Sequence, residues 1–258
     1  MDLGLSGQRA LVTGSHRGTG EVIARRLAEE GAAVIVHGFD AEAAATVADS
    51  IPGATAVAGD LLADDGAAAV WRAATAGGPV TILVNNYGTA GRGDFEHTAA
   101  DDWHAMYEHN VLSAARLIRL ALPSLRTAAS ARIINLGTAG TRRPAGRNPH
   151  YYAAKGALVT LTEALARELA GTNIRVNLVS PGIIHTPEVE TWMRQTAVRE
   201  GWGEDWREIE RRAVAERFPN AAGRFARREE IADLICFLAG PRADYIHGQN
   251  LFIDGGST

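Results

Sequence analysis

The chain has 258 residues, a formal net charge of −4 and a single cysteine. That length suits one α/β domain, residues 1–258, with a sizeable core. The slightly acidic balance, with no basic stripe, argues against a nucleic-acid partner, no apolar run approaches a membrane span, and one cysteine permits no disulfide within the chain.

Residues 1–4 carry neither the basic nor the apolar region of a secretory leader, so a cytoplasmic protein is expected. Residues 9–13, Arg-Ala-Leu-Val-Thr, predict a first strand. Gly14-Ser15-His16-Arg17-Gly18-Thr19-Gly20 follows, then a helical stretch over residues 22–30 with Ile23 and Leu27 one turn apart and Gly31 placed to end it. Residues 33–37 read as a second buried strand. Strand, glycine-rich turn, helix and strand make a mononucleotide-binding unit. Its glycines let the backbone approach a pyrophosphate, whose charge meets amide N–H groups at the helix N-terminus. The G-x-x-x-G-x-G spacing differs from the commoner G-x-G-x-x-G, and a glycine turn without a ligand is the plainer alternative.

Further strands are predicted at residues 54–59, 82–86, 132–136, 175–179 and 250–253. Alanine-rich stretches at 41–48 and 67–76 read as ordinary helices. The near-continuous Val/Ile/Leu runs suit parallel strands buried on both faces. They predict a doubly wound parallel sheet, Rossmann-like, of about seven strands with helices on both faces and ligands at the carboxyl ends of the strands. Residues 187–220 break the alternation: Trp192, Trp202, Trp206 and Phe218 stand among many charges, with Gly201 and Gly203 between two expected amphipathic helices, 189–199 and 206–217. Cys236 lies in an apolar stretch and reads as a packed core residue.

Tyr151 and Lys155 in Tyr-Tyr-Ala-Ala-Lys share one helical face. An ammonium held near a phenol stabilises the phenolate. At about 4 Å and an effective dielectric of about 20 the attraction is roughly 4 kcal/mol, enough to bring a tyrosine from about 10 to near 7, where it can donate and accept protons at neutral pH. On a helix surface such a pair is otherwise unremarkable.

Thr13-Gly14-x-x-x-Gly18-x-Gly20, followed far downstream by Tyr151-x-x-x-Lys155, resembles the short-chain dehydrogenase/reductase family, in order and over essentially the whole chain. Asp60-Leu61 resembles the family's adenine-contacting Asp after the third strand. Asn85-Asn86-Tyr87-Gly88 is similar to its Asn-Asn-Ala-Gly turn, with Tyr in place of Ala. Asn110 falls at the catalytic asparagine, and Pro181-Gly182-Ile183-Ile184-His185-Thr186 resembles the Pro-Gly-x-x-x-Thr turn after the sixth strand. The resemblance implies a nicotinamide dinucleotide lying along residues 14–20, Gly38, Phe39, Asp60, Leu61, Asn86, Gly88, Pro181, Gly182, Ile184 and Thr186, and touching Tyr151 and Lys155. It implies hydride transfer between NADP(H) or NAD(H) and a small-molecule secondary alcohol or ketone. Tyr151 would be the general acid/base, Lys155 would bond the nicotinamide ribose, and Asn110 would hold a relay water. It also implies that residues 187–220 are a substrate lid, and that helices over 102–125 and 152–169 form a homodimer contact, commonly doubled into a homotetramer. No metal is expected.

One departure is Thr138, thirteen residues before the tyrosine, where the family usually has serine. Its hydroxyl can donate to a developing oxyanion, while its methyl restricts the rotamer and predicts narrower substrate tolerance. Were the methyl to block the geometry, a weakly active or inactive dinucleotide-binding sensor or scaffold is the alternative. The acidic position expected of an NAD enzyme is Gly38, and Phe39 stands where many NADP enzymes of the family carry arginine. Arg17 and His37 could face a 2′-phosphate, whereas Asp40 could fold back onto a ribose; NADP is expected over NAD. Tyr87, Thr138, His150, His185 and Trp192 are candidate substrate-lining residues. Arg142 and Arg143 could meet a carboxylate or phosphate, or simply be solvated. A carrier-linked acyl group, a sugar-like polyol or a cyclic alcohol each remains compatible.

Overall fold

The structure, a computed structural model, describes residues 2–257. Seven parallel strands, β1 (Arg9–Val12), β2 (Ala33–Gly38), β3 (Thr55–Ala58), β4 (Ile82–Asn85), β5 (Ala131–Leu136), β6 (Ile174–Pro181) and β7 (Asn250–Ile253), form one sheet in the order β3-β2-β1-β4-β5-β6-β7. The order reverses between β1 and β4, so a crevice opens there at the carboxyl ends of the strands, where such sheets bind ligands. The predicted doubly wound architecture is the observed one.

Alternate residues of each strand enter opposite cores, as a pleated strand buried on both faces requires. Ala10, Val12, Val34, Val36, Ile82 and Val84 pack with α1 (Gly18–Glu29), α2 (Ala41–Asp49) and α9 (Arg228–Ala239). Leu11, Ile35, Leu83 and Ile133 pack on the other face with α3 (Asp64–Thr75), α5 (Ser113–Leu125) and α6 (Pro149–Glu168). Cys236 is buried in the first core, and burial pushes its thiol up to about 12, so it is a packing residue and no nucleophile.

The helix expected over 102–125 is not continuous. It is α4 (Ala100–Tyr107), a wide π turn over Glu108–Leu112, and α5. The π turn holds one extra residue in the coil and re-aims the side chains that follow, a device common at functional sites. The segment after β6 folds as α7 (Pro187–Glu200) and α8 (Trp206–Glu216). Gly201, in the left-handed region at φ 67, ends α7. These two helices share a small core of Met193, Ala197, Trp202, Ile209, Ala213, Val214 and Phe225, distinct from the two that flank the sheet. Among the described residues, no helix is long and apolar enough to cross a membrane.

Candidate active site

The glycine turn leaves β1 with Gly14 at φ 62 and enters α1 with Gly18 at φ 64, conformations that cost a side-chain-bearing residue dearly. A Cβ on Gly20 would collide with the Asn86 amide and the Gly14 carbonyl, so the turn needs glycine there to close against β4. Asn86 Nδ2 donates to the Thr13 carbonyl at 2.8 Å, and Thr13 Oγ1 accepts from the Tyr87 amide at 2.9 Å, which locks the two loops together across the crevice. Gly18, Thr19 and Gly20 open α1, so their N–H groups have no carbonyl four residues back within the helix and are available to an anion.

Two residues expected on the nucleotide are committed elsewhere. Ser15 is fully buried; its Oγ donates to the Val12 carbonyl at 2.7 Å and accepts from the His37 amide at 3.0 Å, while its own amide donates to the His37 carbonyl at 2.8 Å. Ser15 therefore pins β1 to β2 and does not face a ligand. His37 is also fully buried: its Nδ1 accepts from the Gly14 amide at 3.0 Å, so the ring carries its proton on Nε2 and donates to the Gly59 carbonyl at 3.1 Å. Burial holds this imidazole down at about 4, so it is neutral and cannot meet a 2′-phosphate. Asp40 does not fold back either. Its carboxylate caps α2, accepting from the Ala43 amide at 2.8 Å.

The carboxyl end of β2 is thus left with His16, Arg17, Gly38 and Phe39. A Cβ on Gly38 would stand 3.1 Å from the His16 ring, so that imidazole covers the end of β2, with its Nδ1 buried and unpartnered. Arg17 extends into solvent and reaches Glu188 Oε1 at 3.4 Å, an exposed pair of little energetic weight. Tyr87 does not line the substrate side. Its ring packs against Phe39 at 4.8 Å between centroids, its hydroxyl hydrogen-bonds His109 Nδ1 at 2.6 Å, and burial together with the Asp60 carboxylate raises its phenol. Phe39 packs on Tyr87, and the exposed Asp60 is near enough for its charge to act on the Tyr87 phenol. Leu61 keeps its side chain in the core, so only its backbone can serve a nucleotide.

Further along, Gly88 stands between the catalytic candidates. A Cβ there would lie 2.6 Å from Asn110 Oδ1 and 3.1 Å from Lys155 Nζ. The π turn aims Asn110 inward, where its Nδ2 donates to the carbonyls of Thr89 and Met106 at 2.9 and 3.0 Å and its buried Oδ1 has no protein partner. An orphaned acceptor beside a buried ammonium, behind a residue that must lack a side chain, fits a hydroxyl-bearing ligand or a water. Lys155 Nζ donates to the Leu136 carbonyl at 2.8 Å, and burial alone pushes its ammonium down to about 8.

Tyr151 stands near the third member of the set, Thr138, whose hydroxyl favours the ionised phenol. The Thr138 hydroxyl oxygen accepts from the Gly140 amide at 3.3 Å. The expectation of an acidified phenol is corrected. The protein's own groups raise Tyr151 to about 12: burial dominates, and the Thr138 hydrogen bond only partly offsets it. Lys155 turns its charge to a carbonyl, so the attraction inferred from spacing does not reach the phenol.

Beyond Tyr151, His150 is only 2 % exposed and packs beneath Gly91 and against Trp103, so it supports the loop after β4 and does not line a cleft. His185 belongs to a network with α7 and α8: its Nε2 hydrogen-bonds Glu190 at 2.9 Å, and its ring stacks on Trp206 at 4.6 Å. Trp192 does border a cleft of about 370 Å³, with Arg92, Pro187, Glu188, Thr191 and Gln195. Arg92, Thr191 and Gln195 escaped the sequence reading, since nothing in their spacing marks them. A second depression of about 390 Å³ is lined by Phe95, Tyr152 and residues of the loop after β5. Tyr152 follows Tyr151, and their rings lie 5.4 Å apart between centroids, so that depression lies next to the Tyr151 ring.

The Pro181–Thr186 turn is held by the Gly182 amide donating to Ile253 at 3.0 Å and by Ile184 bridging Ala226, and Thr186 caps α7 by accepting from the Val189 amide at 3.3 Å. Arg142 lies over the Phe252 ring at 3.7 Å, near β7 and away from the cleft. Among the described residues no cluster of His, Cys, Asp and Glu could hold a metal ion.

Fold and site define a nicotinamide-dinucleotide-dependent oxidoreductase of Rossmann type. The chain belongs to the short-chain dehydrogenase/reductase family and is an NAD(P)-dependent enzyme acting on CH–OH groups: residues 14–258 match the family model described as enoyl-(acyl carrier protein) reductase. It is 34% identical to the uncharacterised oxidoreductase YvaG of Bacillus subtilis, over 99% of this chain and 98% of that protein. L-sorbose reductase from Gluconobacter frateurii, solved with NADPH and L-sorbose, superposes with a TM-score of 0.92 at 32% identity, over 99% of this chain and 98% of that one. A 7α-hydroxysteroid dehydrogenase solved with NADH and a 7-oxo bile acid superposes with a TM-score of 0.84 at 29% identity, over 100% and 96%.

Proposed function

We propose that this enzyme moves hydride between NADP(H) and the carbon of a secondary alcohol or ketone, with Tyr151 exchanging the proton on the substrate oxygen. The observation that carries the reading is the pair Lys155 and Asn110 on either side of Gly88, with Thr138 near Tyr151, after the carboxyl ends of β4 and β5. A bound nicotinamide would supply or take up the hydride. The chain does the rest. Tyr151 holds a proton on its phenolic oxygen at neutral pH, ready for a carbonyl accepting hydride. Thr138 Oγ1 orients that oxygen by a hydrogen bond that strengthens as charge develops. Lys155 Nζ and Asn110 Oδ1 offer a donor and an acceptor side by side, a path by which the proton can be replaced through a ribose hydroxyl and a water. Residues 187–220, with their own small core and Trp192 at the cleft, serve as the lid that excludes water from the reacting carbon.

NADP is favoured over NAD because no carboxylate faces the end of β2: Gly38 has none, and Asp40 is occupied as a helix cap. Arg17, exposed, with the neighbouring His16, supplies the positive charge and donors a 2′-phosphate needs. We further propose that α5 and α6 carry a homodimer contact, doubled in a homotetramer. Melting curves with NADPH and NADH, followed by a carbonyl panel with the tighter nucleotide, test the reading. Greater stabilisation by NADPH at equal concentration supports it, since the shift grows with the logarithm of concentration over Kd. Equal or greater stabilisation by NADH contradicts the cofactor assignment, and no nicotinamide oxidation across the panel contradicts the activity.

A further inference from the structure

Thr138 stands at the head of a single tight turn, Ala139–Thr141, which holds it through both its carbonyl and its hydroxyl. The Thr138 carbonyl accepts from the Thr141 amide at 3.2 Å and from Thr141 Oγ1 at 2.9 Å. Its hydroxyl oxygen accepts from the Gly140 amide at 3.3 Å. A shift of the turn therefore carries the Thr138 hydroxyl with it.

The turn rests on Tyr152. A Cβ on Gly140 would collide with the Tyr152 side chain, and its three nearest neighbours would all be carbons of that ring. Gly140 has no positive φ, so its missing side chain answers this close approach and not a backbone requirement. The same ring lies 5.4 Å from the Tyr151 ring between centroids, tilted by 58°. One aromatic side chain thus touches the turn that carries Thr138 and neighbours the phenol that Thr138 serves. Tyr152 also borders the depression of about 390 Å³, with Phe95, Pro144 and Pro149. A wall for substrate is therefore the competing role, and kinetics separate the two.

We infer that Tyr152 is a positioning residue for this reaction: its ring props the Ala139–Thr141 turn and thereby sets where the Thr138 hydroxyl stands relative to the Tyr151 oxygen. Tyr152 itself moves no proton. Displacing a reacting group by about 1 Å costs on the order of a hundredfold in rate. Because ring carbons make the contact with Gly140, phenylalanine keeps it. Leucine, a good helix former, withdraws the ring without breaking α6. Since Tyr152 acts through Thr138, its loss has little left to remove once the Thr138 hydroxyl is gone.

The inference rests on the oxidoreductase reading, and the experiment separates the two. Wild type, Tyr152→Phe, Tyr152→Leu, Thr138→Ala and the double variant Tyr152→Leu/Thr138→Ala are compared as full-length proteins. The kcat and KM are measured with NADPH and the ketone that wild type turns over fastest, beside the NADPH dissociation constant and the melting temperature. Tyr152→Leu should lower kcat by about tenfold to a hundredfold, with KM and the NADPH Kd within about threefold of wild type. Tyr152→Phe should keep kcat within about twofold. In the Thr138→Ala background the leucine change should cost about threefold or less. If Tyr152→Leu does not fold, Gly140→Ala, which drives a methyl into the ring from the turn side, replaces it with the same expectations. An unchanged kcat, a loss confined to KM, or an equal loss with and without the Thr138 hydroxyl overturns the inference and leaves the oxidoreductase reading standing. A phenylalanine variant as impaired as the leucine one does the same. A wild type that turns over no ketone overturns both.

Discussion

Replacing Lys155 by methionine separates the cost of this side chain to the fold from its use in the site. The residue is 5 % exposed, and burial pushes its ammonium from the ordinary 10.5 down to about 8. A shift of that size corresponds to roughly 3 kcal/mol against keeping the charge in the folded protein at pH 7. Methionine has a similar length and no charge, so that cost disappears. The Leu136 carbonyl loses the donor now at 2.8 Å, which costs about 1 kcal/mol. The variant should therefore be more stable by roughly 2 kcal/mol at pH 7, while losing most turnover.

The pH dependence gives the sharper test. Between pH 8 and 10.5 the unfolded lysine keeps its proton while the folded one releases it, so the unfolded state binds more protons and wild-type stability rises with pH. The advantage of Lys155→Met should shrink over that interval. Above pH 10 the raised Tyr151 acts oppositely, since its folded phenol stays protonated while the unfolded one ionises. Urea unfolding of both proteins without added nucleotide, from about pH 7 to 9.5, isolates the lysine. A variant less stable than wild type at pH 7, or a stability gap that is constant with pH, would refute the reasoning.

Three other outcomes follow from named contacts. Gly88→Ala places a methyl 2.6 Å from Asn110 Oδ1 and 3.1 Å from Lys155 Nζ, and should lower kcat by about a hundredfold, a loss typical of misplaced reacting groups; unchanged kcat would show that the cluster is not the reacting centre. His37, held at about 4, should make the wild type lose about 3 kcal/mol as pH falls from 6.5 to 4, because the unfolded imidazole gains a proton the folded one refuses. His37→Gln should fall less steeply over the same range, and equal slopes would count against a buried neutral ring. Thr138→Ala should cost roughly 10²–10³ in kcat by removing a donor to the developing charge, with Thr138→Ser restoring activity and accepting bulkier ketones; a fully active alanine variant would deny the hydroxyl its role.

The sheet was readable because parallel strands buried on both faces leave near-continuous apolar runs, and the observed strand bounds lie within two residues of the expected ones. The glycine turn was readable because Gly14, Gly18 and Gly20 answer backbone requirements that no other residue meets. The helices α7 and α8, too, followed from their amphipathic pattern between Pro187 and Gly201 and from Trp206 onward. What failed depends on side-chain direction and burial. Spacing puts Tyr87 in a loop at the crevice but cannot say that its ring swings toward Phe39 and His109. It puts His150 beside Tyr151 but cannot say that the next residue around the helix dives beneath Gly91. Ser15 sits in a turn that reads as ligand-facing, yet its hydroxyl and amide are used within the sheet. The π turn at Asn110 has no breaker residue to announce it, and the raised phenol of Tyr151 is a consequence of burial, which charge spacing along a helix does not contain.

The central claim is that Tyr151 moves the proton while the rest of the crevice holds the dinucleotide. Single-turnover oxidation of NADPH by Tyr151→Phe, set beside its NADPH dissociation constant, addresses that claim directly. The account predicts hydride transfer slowed by about 10²–10⁴ with nucleotide affinity within a few-fold of wild type. A phenylalanine enzyme that reduces the ketone at an undiminished rate would contradict it.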